Sequence, residues 1–246
     1  MINYLFSVKG MDIYANAVVI LLGIILFAIW TKRLYKKRTG SAYSVSVFLP
    51  IAFILSVVIS RFLHWYFTEF SYPNGFIQAF TDFSVGSFAL PGVIIGVWVA
   101  AKITESIGAC RNAKLLLDCT TPGMCLLIAF IRISAFFTGT CIGNRNLQLP
   151  FLKWKPLAVV VTDNVGNEDF KLAVYFLEAV AMIILYFEMT KLLDKHRKDR
   201  IYAPCSRYGN VWKMFLTLYA CVELFMDSNR YDSMLMRFRF LHKLNP

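Results

Sequence analysis

The sequence predicts an all-α, polytopic membrane protein with about six transmembrane helices, and three observations carry that prediction. Of its 246 residues 58% are hydrophobic and only 17% are charged, with a mean hydropathy of +0.56, a composition far from that of soluble domains. The apolar residues collect in segments about as long as a bilayer is thick. Lys and Arg gather in the short stretches between those segments.

The segments cover residues 13–30, 47–66, 85–103, 115–137, 172–189 and 211–225. Residues 1–12 lack the basic region, short apolar run and small-residue cleavage site of a signal peptide, so the first segment reads as a retained span. The sixth is shorter and holds Lys213 and Glu223, which must snorkel to its ends or hide against neighbouring helices. Lys32, Arg33, Lys36, Lys37 and Arg38 follow the first span, and Lys191, Lys195, Arg197, Lys198 and Arg200 follow the fifth. Lys102, Arg111 and Lys114 accompany the third, while residues 69–82 hold acids and no Lys or Arg. By the positive-inside rule the basic loops are cytoplasmic and the N-terminus is outside.

The long connection 138–171, between spans four and five, is then an outer loop. Its Pro150, Trp154, Pro156 and Asp163-Asn164 signals mark an ordered cap with turns. The stretch 230–246 falls outside in this count although it carries Arg230, Arg237, Arg239 and Lys243. It is either an interfacial amphipathic segment or the approach to a further span. No internal repeat is evident, and residues 1–246 form a single membrane domain in this reading.

The formal charge of +11 is distributed over these loops, with no basic stripe interleaved with aromatics, which excludes a nucleic-acid footprint. Cys110, Cys119, Cys125, Cys141, Cys205 and Cys221 form no CxxC pair and have no His at metal-ligand spacing. They read as small apolar residues, so neither a disulfide framework nor a metal site is expected, and no cofactor is implied.

Ionisable residues at membrane depth each require a partner or a role. Asp118 and Glu188 lie close to basic loops and read as packing ion pairs. Arg61 and Arg132 fall toward the outer ends of spans two and four, in segments poor in acids. A phospholipid phosphate, gripped by the planar guanidinium fork, would satisfy them; so would Glu178 or Asp227 across helices. His64, beside Arg61, is a possible base or an ordinary interfacial residue. The run 131–143 ends a span with small residues and closes on Gly143, and Pro91, Gly92 and Gly96 fall inside the third span. Bare backbone at these places either lines a cavity or lets helices pack closely.

Taken in order, these features resemble the bacterial prolipoprotein diacylglyceryl transferases, collinearly over most of the chain. The segment Gly86-Ser87-Phe88-Ala89-Leu90-Pro91-Gly92-Val93-Ile94-Ile95-Gly96-Val97 is similar to the family's Ser-Phe-His-Gly-Gly followed by an apolar Gly-Val helix. Asp118 with Pro122 resembles the Asp and Pro that open the next span, and residues 132–143 resemble the Gly-Arg-x-Gly-Asn-Phe signature closed by Asn, Glu and Gly. Ser60-Arg61-Phe62 is similar to the second span's Ala-Arg-Leu, residues 175–179 to the Tyr-Glu-Ala of the fifth, and Asp227-Ser228-Asn229-Arg230 to the late Glu-x-x-Arg.

The resemblance implies transfer of a diacylglyceryl group from phosphatidylglycerol to the lipobox cysteine thiol of a prolipoprotein, with release of glycerol phosphate. It also implies a place in the bacterial cytoplasmic membrane, with membrane lipid and a prolipoprotein signal peptide as partners. Such chemistry needs a cationic clamp on the phosphate leaving group and help in activating a thiol. Arg132 matches the signature Arg and is expected to be catalytic, with His64 as the available base and Tyr14 resembling an active-site Tyr of the family. Arg61, Arg132, Gly92, Gly143 and Arg230 are expected to bind the phospholipid.

The chain also departs from the pattern. Pro91 stands where the family motif has its His, Ala135 where the signature has Asn, and Thr140 where it has Glu. The second essential Arg falls at Glu223 when Asp227 is aligned with the family Glu, and the sequence stops where the seventh span would begin. The second reading is therefore a member that binds phospholipid or a protein partner without transferring anything. A solute transporter has little support, since no inverted repeat or paired broken helices are visible.

The charge pattern yields a labelling test. With an impermeant thiol reagent applied from outside, single cysteines placed at Lys36 and Lys195 are expected to stay unlabelled while one at Asn164 reacts. The reverse pattern would invert the topology.

Overall fold

The structure is a computed structural model that describes residues 4–8, 11–67, 89–144, 153–154, 156–162, 168–202 and 208–230. Residues 69–82, Gly86, Ser87 and Phe88, Pro150, Asp163-Asn164, Cys205 and the stretch 231–246 lie outside the described residues. Six helices run through what is described: α1 Ala15–Thr39, α2 Tyr43–Phe67, α3 Leu90–Ser106, α4 Ala113–Thr138, α5 Val174–Tyr202 and α6 Asn210–Asp227. Among these, α1, α2 and α4 are long and apolar enough to cross a membrane. The chain is thus a mainly helical, multi-pass membrane protein. The other three fall short for plain reasons: α3 has 17 residues, α5 carries Glu178, Glu188 and Lys191, and α6 carries Lys213, Glu223 and Asp227.

The mostly helical structure agrees with the all-α expectation. Two antiparallel hairpins accompany the helices, β1 Tyr4–Val8 with β2 Met11–Tyr14, and β3 Ala158–Thr162 with β4 Glu168–Leu172. The valine run of β3 is a strong strand former, and it falls within the connection read as a cap with turns. A turn in which the Leu157 N–H donates to Trp154 O at 2.9 Å leads into it. The fifth segment accordingly begins its helix at Val174, because Leu172 still belongs to β4.

Residues divide into two compact units, one of Met1–Phe27, Pro122–Leu192 and Met214–Leu235, the other of Ala28–Thr121, Leu193–Lys213 and Met236–Pro246. In the second, α2 and α3 approach through small residues. A Cβ added at Gly92 would stand 2.3 Å from Ser60 Cα, and one at Gly96 would stand 2.5 Å from Ser56 Cα. The serine hydroxyls cross the same seam, Ser60 Oγ donating to Ala89 O at 2.7 Å and Ser56 Oγ to Val93 O at 3.2 Å. This is small-residue packing with hydroxyl bonds between helices, and the bare Cα of Gly92 faces Ser60 backbone. Pro91 sits in the first turn of α3, where its missing N–H removes no helical bond, so it opens the helix instead of breaking it.

Helix starts in this unit are satisfied by side chains. Asn112 Oδ1 accepts from the Lys114 and Leu115 N–H groups at 2.9 and 3.3 Å, capping α4. Glu105 Oε1 accepts the Ala113 N–H at 3.0 Å; that bond, followed by the Lys102 ammonium, holds its carboxyl below the usual carboxylate range. Asp118, buried in α4, accepts from the Gly209 N–H at 2.7 Å and the Trp212 N–H at 3.0 Å. These are the N-cap and third-residue donors of α6, so one carboxylate from another helix serves the two groups that a capping box would serve. Gly209, at φ +95°, takes the left-handed turn this approach requires.

Two consequences can be measured in detergent micelles. Asp118→Ala leaves two buried N–H groups without acceptors and is expected to cost about 2–4 kcal/mol of stability, with Asp118→Asn intermediate because one oxygen remains. Gly96→Val forces backbone apart and should lower the thermal midpoint by the equivalent of about 1–3 kcal/mol. Wild-type midpoints in either variant would contradict these contacts.

Candidate functional site

The site of interest lies in the unit that holds the second half of α4, and it begins with a guanidinium in a dry interior. Arg132 is buried on α4. Its Nε lies 2.7 Å from Glu178 Oε2 of α5, its Nη2 pairs with Glu223 Oε1 of α6, and its Nη1 donates toward Cys141 Sγ at 3.6 Å. Arg230, just beyond α6, brings a second buried guanidinium to the same acids. Its Nη1 lies 3.6 Å from Glu178 Oε1, 3.8 Å from Glu223 Oε1 and 3.8 Å from Asp227 Oδ1, while Nη2 donates to Cys141 Sγ at 2.8 Å.

Local backbone explains how these groups converge. After α4 the chain reverses through Gly139 at φ +68° and Cys141 at φ +59°. A non-glycine residue in the left-handed region is uncommon, and here it turns the thiol toward both arginines. Cys141 O accepts the Tyr175 N–H at 3.2 Å, Gly143 N–H donates to Leu172 O at 2.8 Å, and Gly143 forms an antiparallel bridge with Arg230. A Cβ at Gly143 would stand 3.0 Å from Leu172 O and from its Cβ, so the glycine permits this close approach. Asn144 N–H to Asn229 O at 3.0 Å extends the seam. Ala135, Cys141, Val159, Ala173 and Tyr175 form the buried apolar cluster beside it.

Electrostatics decide what such a group can do. Among the described residues two cations and three carboxylates are gathered out of bulk solvent, and the paired geometry offsets a desolvation cost that neither sign could bear alone. Arg132 is thus satisfied by the acids of α5 and α6. The pairing with Glu178 that the sequence left open is present, and Asp227 pairs with Arg230 instead. Glu223 differs from the other two acids in being only partly buried.

Of the residues singled out from the sequence, Arg132, Gly143 and Arg230 are brought together here. Tyr14 belongs to the same unit and ends β2, exposed at the entrance to α1. Arg61, buried, and His64, half-buried, lie on α2 in the other unit, as does Gly92 on α3. Glu188 is exposed and pairs with Lys191 at 2.9 Å one turn along α5, a surface pair on a single helix and not a packing pair between helices. From the sequence Cys141 reads only as a small apolar residue, and Glu223 as a polar group that must snorkel or hide against neighbouring helices and as the place of a missing arginine. The spacing of Glu223, Asp227 and Arg230 along one helical face was the signal that could have joined them.

No curated protein compared with the chain matches it. A family model described as prolipoprotein diacylglyceryl transferase matches residues 3–243, nearly the whole chain. With a match of that extent, the chain belongs to the prolipoprotein diacylglyceryl transferase family.

Proposed function

We propose that this protein transfers the diacylglyceryl group of phosphatidylglycerol to the lipobox cysteine of prolipoproteins, as a six-span protein of the bacterial cytoplasmic membrane with its N-terminus and the 138–171 connection on the outer face. One observation carries the reading: in a member of this family, Arg132 and Arg230 converge on a single carboxylate oxygen, that of Glu223. Two guanidiniums aimed at one oxygen form a clamp suited to a phosphate oxygen.

In the reaction the lipobox sulfur attacks the terminal glyceryl carbon of the lipid. A C–S bond forms, the C–O bond to phosphate breaks, and glycerol phosphate leaves with the charge that the clamp stabilises. The thiol proton passes to a base; Tyr14 and Gly143 share the unit of the clamp as further site residues, and Arg61, His64 and Gly92 are kept as proposed site residues of the other unit. The absence of the family His at Pro91 supports a second reading, a member that binds phospholipid without turnover.

Purified protein incubated with phosphatidylglycerol and a lipobox peptide is expected to yield the diacylglyceryl thioether by mass spectrometry. Arg132→Ala should lower the rate roughly a hundredfold or more, about 2–4 kcal/mol of transition-state stabilisation, and Arg132→Lys should also lose much of it because the planar fork is gone. Lys213→Ala, an exposed change on α6, should leave the rate near wild type. Full activity in Arg132→Ala would place the site elsewhere; no thioether from the wild-type protein would favour the second reading.

A further inference from the structure

Three properties of Glu223 belong together. Its Oε1 is met by Nη2 of Arg132 and lies 3.8 Å from Nη1 of Arg230, so one carboxylate oxygen occupies the point where two guanidinium forks converge. Its side chain is 27% exposed, against 2% for Glu178, 7% for Asp227, and 8% and 9% for the two arginines. Among the described residues the ionised groups gathered here, Arg132, Arg230, Glu178, Glu223 and Asp227, sum to one negative charge in excess. A phosphate arriving beside all three carboxylates would meet a like charge where water screens little.

We propose that Glu223 is the exchangeable anion of this site: it holds the point between Arg132 and Arg230 until a phosphate oxygen takes its place, then turns to the open side. The inference rests on the reading that the cluster binds the phosphate of the lipid donor. Glu178 and Asp227 stay behind, because they are closed off from solvent and fix the guanidiniums from within. Glu178 meets Arg132 Nε at 2.7 Å, a donor separate from the Nη2 that meets Glu223. Carboxylate and phosphate present comparable oxygens to the same fork, so the exchange replaces one charge-assisted contact by another of the same kind. Glu223 is in this account a positioning residue. The chemistry recognised is a phosphate oxygen, which both the lipid diester and free glycerol phosphate possess.

The whole chain, in nanodiscs of neutral lipid, would be titrated with phosphatidylglycerol, with glycerol 1-phosphate and with diacylglycerol. Glu223→Gln keeps the shape and removes the competing charge, and is expected to bind phosphatidylglycerol on the order of tenfold more tightly than wild type. Glu178→Gln, which removes a fixed support, is expected to bind no more tightly. A gain for both phosphate ligands assigns the exchange to the phosphate they share, and a gain for phosphatidylglycerol alone assigns it to the lipid diester; either supports the proposal. Equal affinity of wild type and Glu223→Gln overturns it, as does an equal gain for diacylglycerol, which has no phosphate.

A second measurement uses only the wild-type protein. A membrane-permeant carbodiimide should modify Glu223 faster once phosphatidylglycerol saturates the discs, as read by peptide mass spectrometry. An unchanged rate overturns the exchange without requiring any variant to fold. Neither readout depends on turnover, so a protein that shows the exchange but forms no thioether would sink the transferase reading alone.

Discussion

Two guanidiniums held out of water set the terms for the unit that contains them. Arg132 and Arg230 are both buried, and removing a partner from such a buried pair costs about 3–5 kcal/mol because the remaining charge is stranded. Each therefore draws acids from separate elements: Glu178 from α5, Glu223 and Asp227 from α6. The reversal after α4, with its left-handed Cys141, and the contact of Gly143 with Leu172 and Arg230 are the backbone means by which those elements meet. Stability and the candidate chemistry rest on the same contacts here.

The same accounting of polar groups governs the other unit, where backbone is the issue instead of charge. Away from water every N–H and C=O needs a partner within the protein. Asp118 answers for the start of α6 and Asn112 and Glu105 for the start of α4, while Ser56 and Ser60 find acceptors for their own hydroxyls in carbonyls at the beginning of α3. Gly92 and Gly96 bring α2 and α3 close enough for those hydroxyls to reach across. A ligand is not needed to account for either glycine.

The departures from the family pattern acquire a physical meaning in this setting. Glu223 stands where the resemblance expects a family arginine, and two guanidiniums still meet there because Arg230 reaches the same carboxylate from just beyond α6. An acid among them changes the electrostatic problem: in the proposed site a phosphate competes with a resident anion instead of entering a cationic pocket. At Pro91 the loss is of a different kind, since proline in the first turn of α3 serves helix initiation and offers no proton-transfer group.

The amino-acid sequence by itself determined that this is a membrane protein, where its helical segments lie and which family it belongs to, because apolar length, charge distribution and the order of short motifs are local properties. It also singled out Arg132, Gly143 and Arg230, and it offered Glu178 as a partner for Arg132. Only the tertiary structure brought Glu178 and Glu223 against Arg132, since both lie far along the chain from it and meet it only through packing. The β3–β4 hairpin, the turn at Cys141 and the service of Asp118 to a helix ninety residues away were likewise settled by contacts between distant segments. Hydrophobic periodicity reports which residues leave water, but the pairing of buried charges depends on which helix faces which.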